Sequence, residues 1–296
     1  MSLSEVRGDA VQESIQTSVR SMLAQAGMLP SCMRAAALVA LGIGMTAVPG
    51  AAQEIELPWV TIPAGTFGMG CVPGDSACLD SERPRHEVTL STFDLMATEV
   101  TVGQYATFVA ATGYARPVVP DYPQAPDHPA VHMTWHDAEA FCDWAGGRLP
   151  TEWEWEYAAR AGHDGRLYWW GDELTRNYAN FGTVQCCSGA TGGADAWLNT
   201  APVGSFPSND FGLYDMIGNV WEWVNGWITV RYPDGPLTDP QPAGTGYLRV
   251  MRGASWLNFP NVLRLSVRLP FSADGHTSNV GVRCARDARV LVVSAD

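Results

Sequence analysis

The chain has 296 residues, 46% of them hydrophobic and 17% charged, which suits one large globular domain or two small ones. All 18 basic residues are arginine, so a lysine nucleophile or Schiff base is excluded, and the net charge of -13 makes nucleic acid and anionic membrane surfaces poor partners. Twelve Trp and thirty Gly point to a loop-rich fold held by aromatic packing rather than by long helices.

Residues 1–32 are polar and show no apolar period. Met33 and Arg34 then precede an apolar run of fourteen residues, 35–48, followed by a small-residue end at Gly50, Ala51 and Ala52. A basic flank, a short apolar core and a small-residue end describe a signal peptide over 33–52, cleaved after Ala52, and the run is too short for a membrane span. Met33 is an alternative start, because the 32 residues before it make an overlong leader. Residues 53–296 are then one domain, periplasmic or secreted. Residues 1–52 carry three Arg and three acids, so the whole negative charge lies downstream, where cation binding fits it.

The exported part opens with a strand broken by turn residues, 59–70, then a polar loop holding Cys71 and Cys78. Alternation over 86–90 predicts a half-buried strand. Three helices start on one device: Thr101 before Gln104, Thr134 before Asp137 and Thr151 before Glu154 pair a capping hydroxyl with a side chain three residues on. With Gly113, Gly146 and Gly162 as stops, the spacing predicts helices over 102–112, 135–145 and 152–161. His128, His132 and His136 have the four-residue spacing of metal ligands on a helix, but Pro129 and the alternation of Val131, Met133 and Trp135 favour an extended segment. Beyond the third helix the chain is irregular to residue 245; 248–252 and 281–285 read as late strands. Seven cysteines behind a signal peptide indicate an oxidising compartment. Cys71 and Cys78 can close a small loop, and the adjacent Cys186 and Cys187 form either a vicinal bridge or two thiols.

Residues 215–223 (DMIGNVWEW) organise the rest. A strand places Glu222 beside large apolar residues, where a carboxylate needs a partner or an ion. Asp215, Glu222 and the carbonyls of the irregular Gly218–Asn219 step are hard oxygen donors of the kind calcium takes; a core strand with a capped glutamate is the alternative.

This GN-x-WEW stretch resembles a signature of the formylglycine-generating (sulfatase-modifying factor) family. The resemblance extends to 148–156 (RLPTEWEWE), 252–256 (RGASW) and 281–284 (GVRC), in the family's order, and covers residues 57–288. It implies an α+β fold, a C-type lectin-like variant with little regular secondary structure. It implies a disulfide between Cys142 and Cys284. It also implies two structural calcium sites. One uses Asn180 and Asp195 with the carbonyls of Phe181 and Trp197. The other uses Asp215 and Glu222 with the carbonyls of Gly218 and Val220, Asp215 standing where the family has an amide.

Enzymes of the family oxidise cysteine with copper(I) held by two cysteines, three and eight residues after the serine of a Gly-Gly-Ser motif. Ser255 matches that serine and Ala254 replaces a glycine, but the two cysteine positions are Asn258 and Leu263. Neither supplies the thiolate that copper(I) demands, so copper is not expected, and calcium, which the resemblance implies, is the expected cofactor. Ser255, Trp256, Asn258, Arg264, Arg268 and His276 are expected to line a pocket for a polar or anionic small-molecule, peptide or protein ligand. This describes a ligand-binding or accessory module. The alternatives are a non-copper oxidase or oxygenase, as in peptide or siderophore maturation, and a diversified lectin-fold binding protein, since residues 252–286 also resemble the variable regions of such proteins. Relatives that make sulfoxides with iron depend on an extra helical domain, which residues 1–52 do not supply.

Overall fold

Three threonines set the three α-helices found among the described residues. The computed structural model describes residues 57–183, 191–242 and 244–288. Thr101 caps α1 (Val102–Thr112), Thr134 caps α2 (Trp135–Trp144) and Thr151 caps α3 (Glu152–Arg160), each through a reciprocal capping box. At α3 the Thr151 hydroxyl accepts from Glu154 N at 3.2 Å, and Glu154 Oε2 accepts from Thr151 N at 2.8 Å. Ala161 is the left-handed residue that caps this helix, and Gly162 follows it with a positive φ of its own, 82°.

The strands are short: β1 (Trp59–Ile62), β2 (Gly65–Met69), β3 (His86–Leu90), β4 (Phe93–Met96), β5 (Trp221–Trp227), β6 (Leu237–Thr238), β7 (Arg249–Arg252), β8 (Leu269–Phe271), β9 (Val280–Gly281) and β10 (Ala285–Asp287). They form three sheets, ordered β1-β4-β10, β2-β3-β6 and β8-β7-β5-β9. The strand expected over 281–285 is thus divided: β9 pairs with β5 in one sheet and β10 with β4 in another. Arg283 and Cys284 lie in the passage between them, where they can reach both.

The core is aromatic, and its indoles act as cross-ties. Trp155 and Trp223 are fully buried. Trp155 Nε1 donates to Glu222 Oε2 at 2.6 Å, Trp223 Nε1 to Met133 O at 2.8 Å and Trp135 Nε1 to Val224 O at 3.0 Å. These bonds satisfy the buried N–H groups and fix α2 and α3 against β5. The Cys142–Cys284 disulfide ties α2 to the start of β10, as the resemblance implied, and Cys71–Cys78 closes the loop after β2. Among the described residues no helix is long and apolar enough to cross a membrane. The signal peptide expected over 33–52 and the pair Cys186 and Cys187 lie outside the described residues.

Candidate functional site

Helix α3 is buried along its whole length, which its three glutamates permit only because each meets an arginine. Residues two apart on a helix point about 200° apart, so the three partners differ. Glu152 binds Arg268 at 2.7 and 2.8 Å, Glu154 binds Arg148 at 2.8 and 2.7 Å, and Glu156 lies between Arg160 and Arg252. Arg264 is held by Glu82 at 2.7 and 3.0 Å and by Asp75 at 2.6 Å. Here the structure corrects the expected pocket. Arg264 and Arg268 do not face a groove; both are buried and their charges are already matched by carboxylates.

The residues expected around Glu222 do come together. Glu222 is fully buried and bound by Arg283 Nε at 2.8 Å and Nη2 at 2.7 Å. Asp215, Gly218 and Asn219 all take positive φ, 56°, 84° and 54°, which folds the chain back so that Asn219 N reaches Asn180 O at 3.0 Å. A Cβ at Gly218 would run into that same carbonyl, so glycine is required. Asp215 Oδ2 accepts from Gly204 N at 2.7 Å, while Oδ1 is buried with no hydrogen-bond partner.

The structure adds Glu99, which sequence reasoning missed. It is fully buried; Oε2 accepts from Asn219 Nδ2 at 3.0 Å and Oε1 from Val220 N at 3.3 Å. Burial, and then the charges of Asp215 and Glu222, push its pKa well above the usual carboxylate range. Burial pushes Asp215 up to about 6. The available signal was an acid set in the apolar run before the Thr101 cap. Glu99, Asp215 and Glu222 share one guanidinium, that of Arg283, and the excess negative charge suits a hard cation.

Asn180, Phe181, Asp195 and Trp197 also meet, with a different charge balance. Asp195 accepts from Trp197 N at 3.2 Å, Phe181 N at 3.3 Å and Arg176 Nη1 at 2.8 Å. Arg176 Nη1 donates to Phe181 O as well, and its guanidinium lies 4.4 Å from the centre of the Phe181 ring. Asn180 Nδ2 donates to Asn199 O at 2.7 Å. An arginine thus bridges two of the four oxygens expected to bind calcium.

The segment after β7 is pinned by Arg252, which donates to the carbonyls of Leu265, Ser266 and Val267 at 3.0, 3.2 and 3.0 Å. Ser255 is fully buried; its hydroxyl donates to Asn258 Oδ1 at 2.7 Å and accepts from Asn279 Nδ2 at 2.8 Å. Thr277 Oγ1 donates to Asn279 Oδ1 at 2.6 Å, which completes a polar rail from Thr277 through Asn279 and Ser255 to Asn258. Leu263 is wholly buried in the apolar core. All four cysteines among the described residues are in disulfides, so none of them brings a thiol to this segment.

Trp256 packs edge-on against Tyr122, 5.6 Å between ring centres, and Tyr122 also lines an apolar cleft of ≈ 220 Å³ with Val102, Tyr105 and Val131. His276 is exposed at the Thr277 end of the rail, its Nδ1 3.4 Å from His132 Nδ1. Burial, and then the neighbouring His276, push the His132 pKa down. His128 instead bonds Thr200 Oγ1 and His136 faces Asp274, so the three histidines spaced by four do not converge.

Comparison with known proteins places the family and the fold. Residues 46–288 match the sulfatase-modifying factor enzyme 1-like domain. A formylglycine-generating enzyme of Streptomyces coelicolor is 36% identical over 301 aligned residues, covering 83% of this chain and 95% of the relative. A Bos taurus protein named inactive C-alpha-formylglycine-generating enzyme 2 is 38% identical, over 55% of this chain and 51% of the relative. The structure of PvdO from Pseudomonas aeruginosa superposes with a TM-score of 0.68 at 29% identity, covering 78% of this chain and 95% of that one. Treponema denticola variable protein 1 shares the fold, with a TM-score of 0.65 at 22% identity over 80% of this chain and 98% of that one. The chain belongs to the sulfatase-modifying factor (formylglycine-generating enzyme) family.

Proposed function

We propose that this protein is a ligand-binding or accessory member of its family, periplasmic or secreted, that does not oxidise cysteine with copper. The observation that carries this reading is the pair at the family's two cysteine positions. Leu263 is a core leucine and Asn258 is hydrogen-bonded to Ser255, so neither donates the sulfur that copper(I) requires. The segment offers instead a polar rail flanked by Trp256, Tyr122 and His276, a mix suited to a polar small molecule, peptide or protein. Two disulfides support an oxidising compartment.

Calcium fits the Asp215 set. Asp215, Glu222 and the carbonyls of Gly218 and Val220, joined by Glu99, would hold it, and the orphaned Asp215 Oδ1 and the excess buried charge favour its presence. The ion would supply order, by neutralising carboxylates from three separate segments. At the Asp195 set, Arg176 already brings positive charge, so calcium there has to displace a guanidinium.

The test is incubation of the purified mature protein with copper(I), oxygen, reductant and a cysteine-bearing sulfatase peptide, read by mass spectrometry. The reading predicts no aldehyde. Turnover that survives Cys186→Ala/Cys187→Ala overturns it, and turnover lost in that variant locates the thiolates in another loop and overturns it equally.

A further inference from the structure

We propose that His132 and His276 form a surface site for a borderline divalent transition metal, zinc foremost, at the Thr277 end of the polar rail. Their Nδ1 atoms are 3.4 Å apart. Two nitrogens bound to one zinc at about 2.0–2.1 Å and a tetrahedral angle lie about 3.4 Å apart, whereas a square-planar right angle would bring them to about 2.9 Å. The pair is therefore set at the bite of a tetrahedral ion. Without a metal, one Nδ1 must carry a proton and the other must not; a metal uses both lone pairs. Among the described residues neither ring makes another hydrogen bond, so neither is committed elsewhere.

The bite is held by the backbone. His132 N donates to Thr277 O at 3.0 Å and Trp135 N to Ala273 O at 2.9 Å, so the two segments that carry the rings are laced together. His132 takes the left-handed conformation, φ 59°, which histidine adopts more readily than most non-glycine residues, and its ring meets that of His276 at 5.6 Å between centres. The surroundings favour a cation: Asp121 places a negative charge within electrostatic reach of His132, and Asp274 lies on the same loop as His276.

Imidazole nitrogen selects zinc and its neighbours over calcium, so this site is chemically distinct from the carboxylate cluster. Two protein ligands leave two tetrahedral positions open to water or to donors on a bound molecule. His276 adjoins Thr277, so an ion here would stand at the rim of the Ser255–Asn258 rail and recognise ligands that bring their own oxygen, nitrogen or sulfur donor. None of this depends on the rail itself binding a ligand, because the ion is measured alone.

The experiment is a calorimetric titration of chelator-treated mature protein with Zn²⁺, in saturating calcium to fill the carboxylates, paralleled by Co²⁺ in visible absorption. Stoichiometric zinc binding and tetrahedral cobalt bands are expected. His276→Ala alters an exposed residue, and His132→Asn keeps a residue that tolerates the left-handed backbone. Each should weaken zinc by at least the ~10-fold that losing even an outer-shell partner costs, while His136→Ala should change nothing. No binding by folded wild-type protein overturns the proposal. So does binding unchanged in both variants, which would place the metal elsewhere.

Discussion

The carboxylate cluster around Glu222 and the segment from Ser255 to Leu263 both carry the family's motif residues, yet they have kept different things. The cluster brings Asp215, Glu222 and Glu99 together, and among the described residues Arg283 is the guanidinium that meets them. The segment retains its path, pinned by Arg252 and the Ser255 hydroxyl, but has an amide and a core leucine where sulfur would be needed. Buried charge is woven into the fold and cannot be lost without leaving a partner uncompensated. A soft-metal site depends on two side chains, which can change while everything around them stays packed. On the reading proposed above, scaffold and hard-cation site are therefore separable from copper chemistry.

The largest expected effect comes from the passage between β9 and β10 that carries Arg283 and Cys284. Replacing Cys142 and Cys284 by serine removes a crosslink between residues 142 apart and should lower unfolding free energy by up to about 5 kcal/mol in a denaturant titration. Next, Glu222→Gln leaves Arg283 buried without its full counter-charge, and a loss of about 3–5 kcal/mol is expected. A change below about 1 kcal/mol would mean that the cluster behaves like a surface pair, which would dissolve the contrast.

The third effect is linkage to pH. Glu99 and Asp215 have raised pKa values in the folded chain, so in chelator their ionisation costs stability. For a raised acid, stability is full below the unfolded value and is lost as pH rises through the folded one. The melting temperature in chelator should therefore increase as pH falls through about 6 toward the unfolded aspartate value of about 3.9, Asp215 alone contributing on the order of 2–3 kcal/mol. Calcium should stabilise most at neutral pH and progressively less as protons compete for the same oxygens. Melts in chelator and in millimolar calcium that coincide at every pH would break the account of the cluster. The smallest effect belongs to the other region: Asn258→Ala removes one hydrogen bond from Ser255 and should cost about 1 kcal/mol, with calcium stabilisation unchanged.

Much of the fold was legible because its signals are local. The caps at Thr101, Thr134 and Thr151 each need only four residues, and the three helices lie where those residues place them. The fate of Arg264 and Arg268 was not legible, because Glu82 and Glu152 are 182 and 116 residues away. An arginine in an irregular stretch reads the same whether it faces solvent or a buried glutamate. Glu99 was hidden for the same reason, its contact with Asn219 spanning 120 residues. The four-residue spacing relates His132 only to its near neighbours, yet its ring contact is with His276, 144 residues away. Arg176 gives no sequence signal, because the motif names oxygen donors and not an arginine that binds two of them.

The most direct test of the separation between hard-cation scaffold and copper chemistry is the metal content of the purified protein. The protein is loaded with calcium and copper(I) together and then dialysed against a copper(I)-selective chelator, in the His276→Ala background to remove imidazole-held copper. Calcium should remain in stoichiometric amount and copper should be absent. Copper retained at one equivalent, or calcium lost while the protein stays folded, would contradict the account.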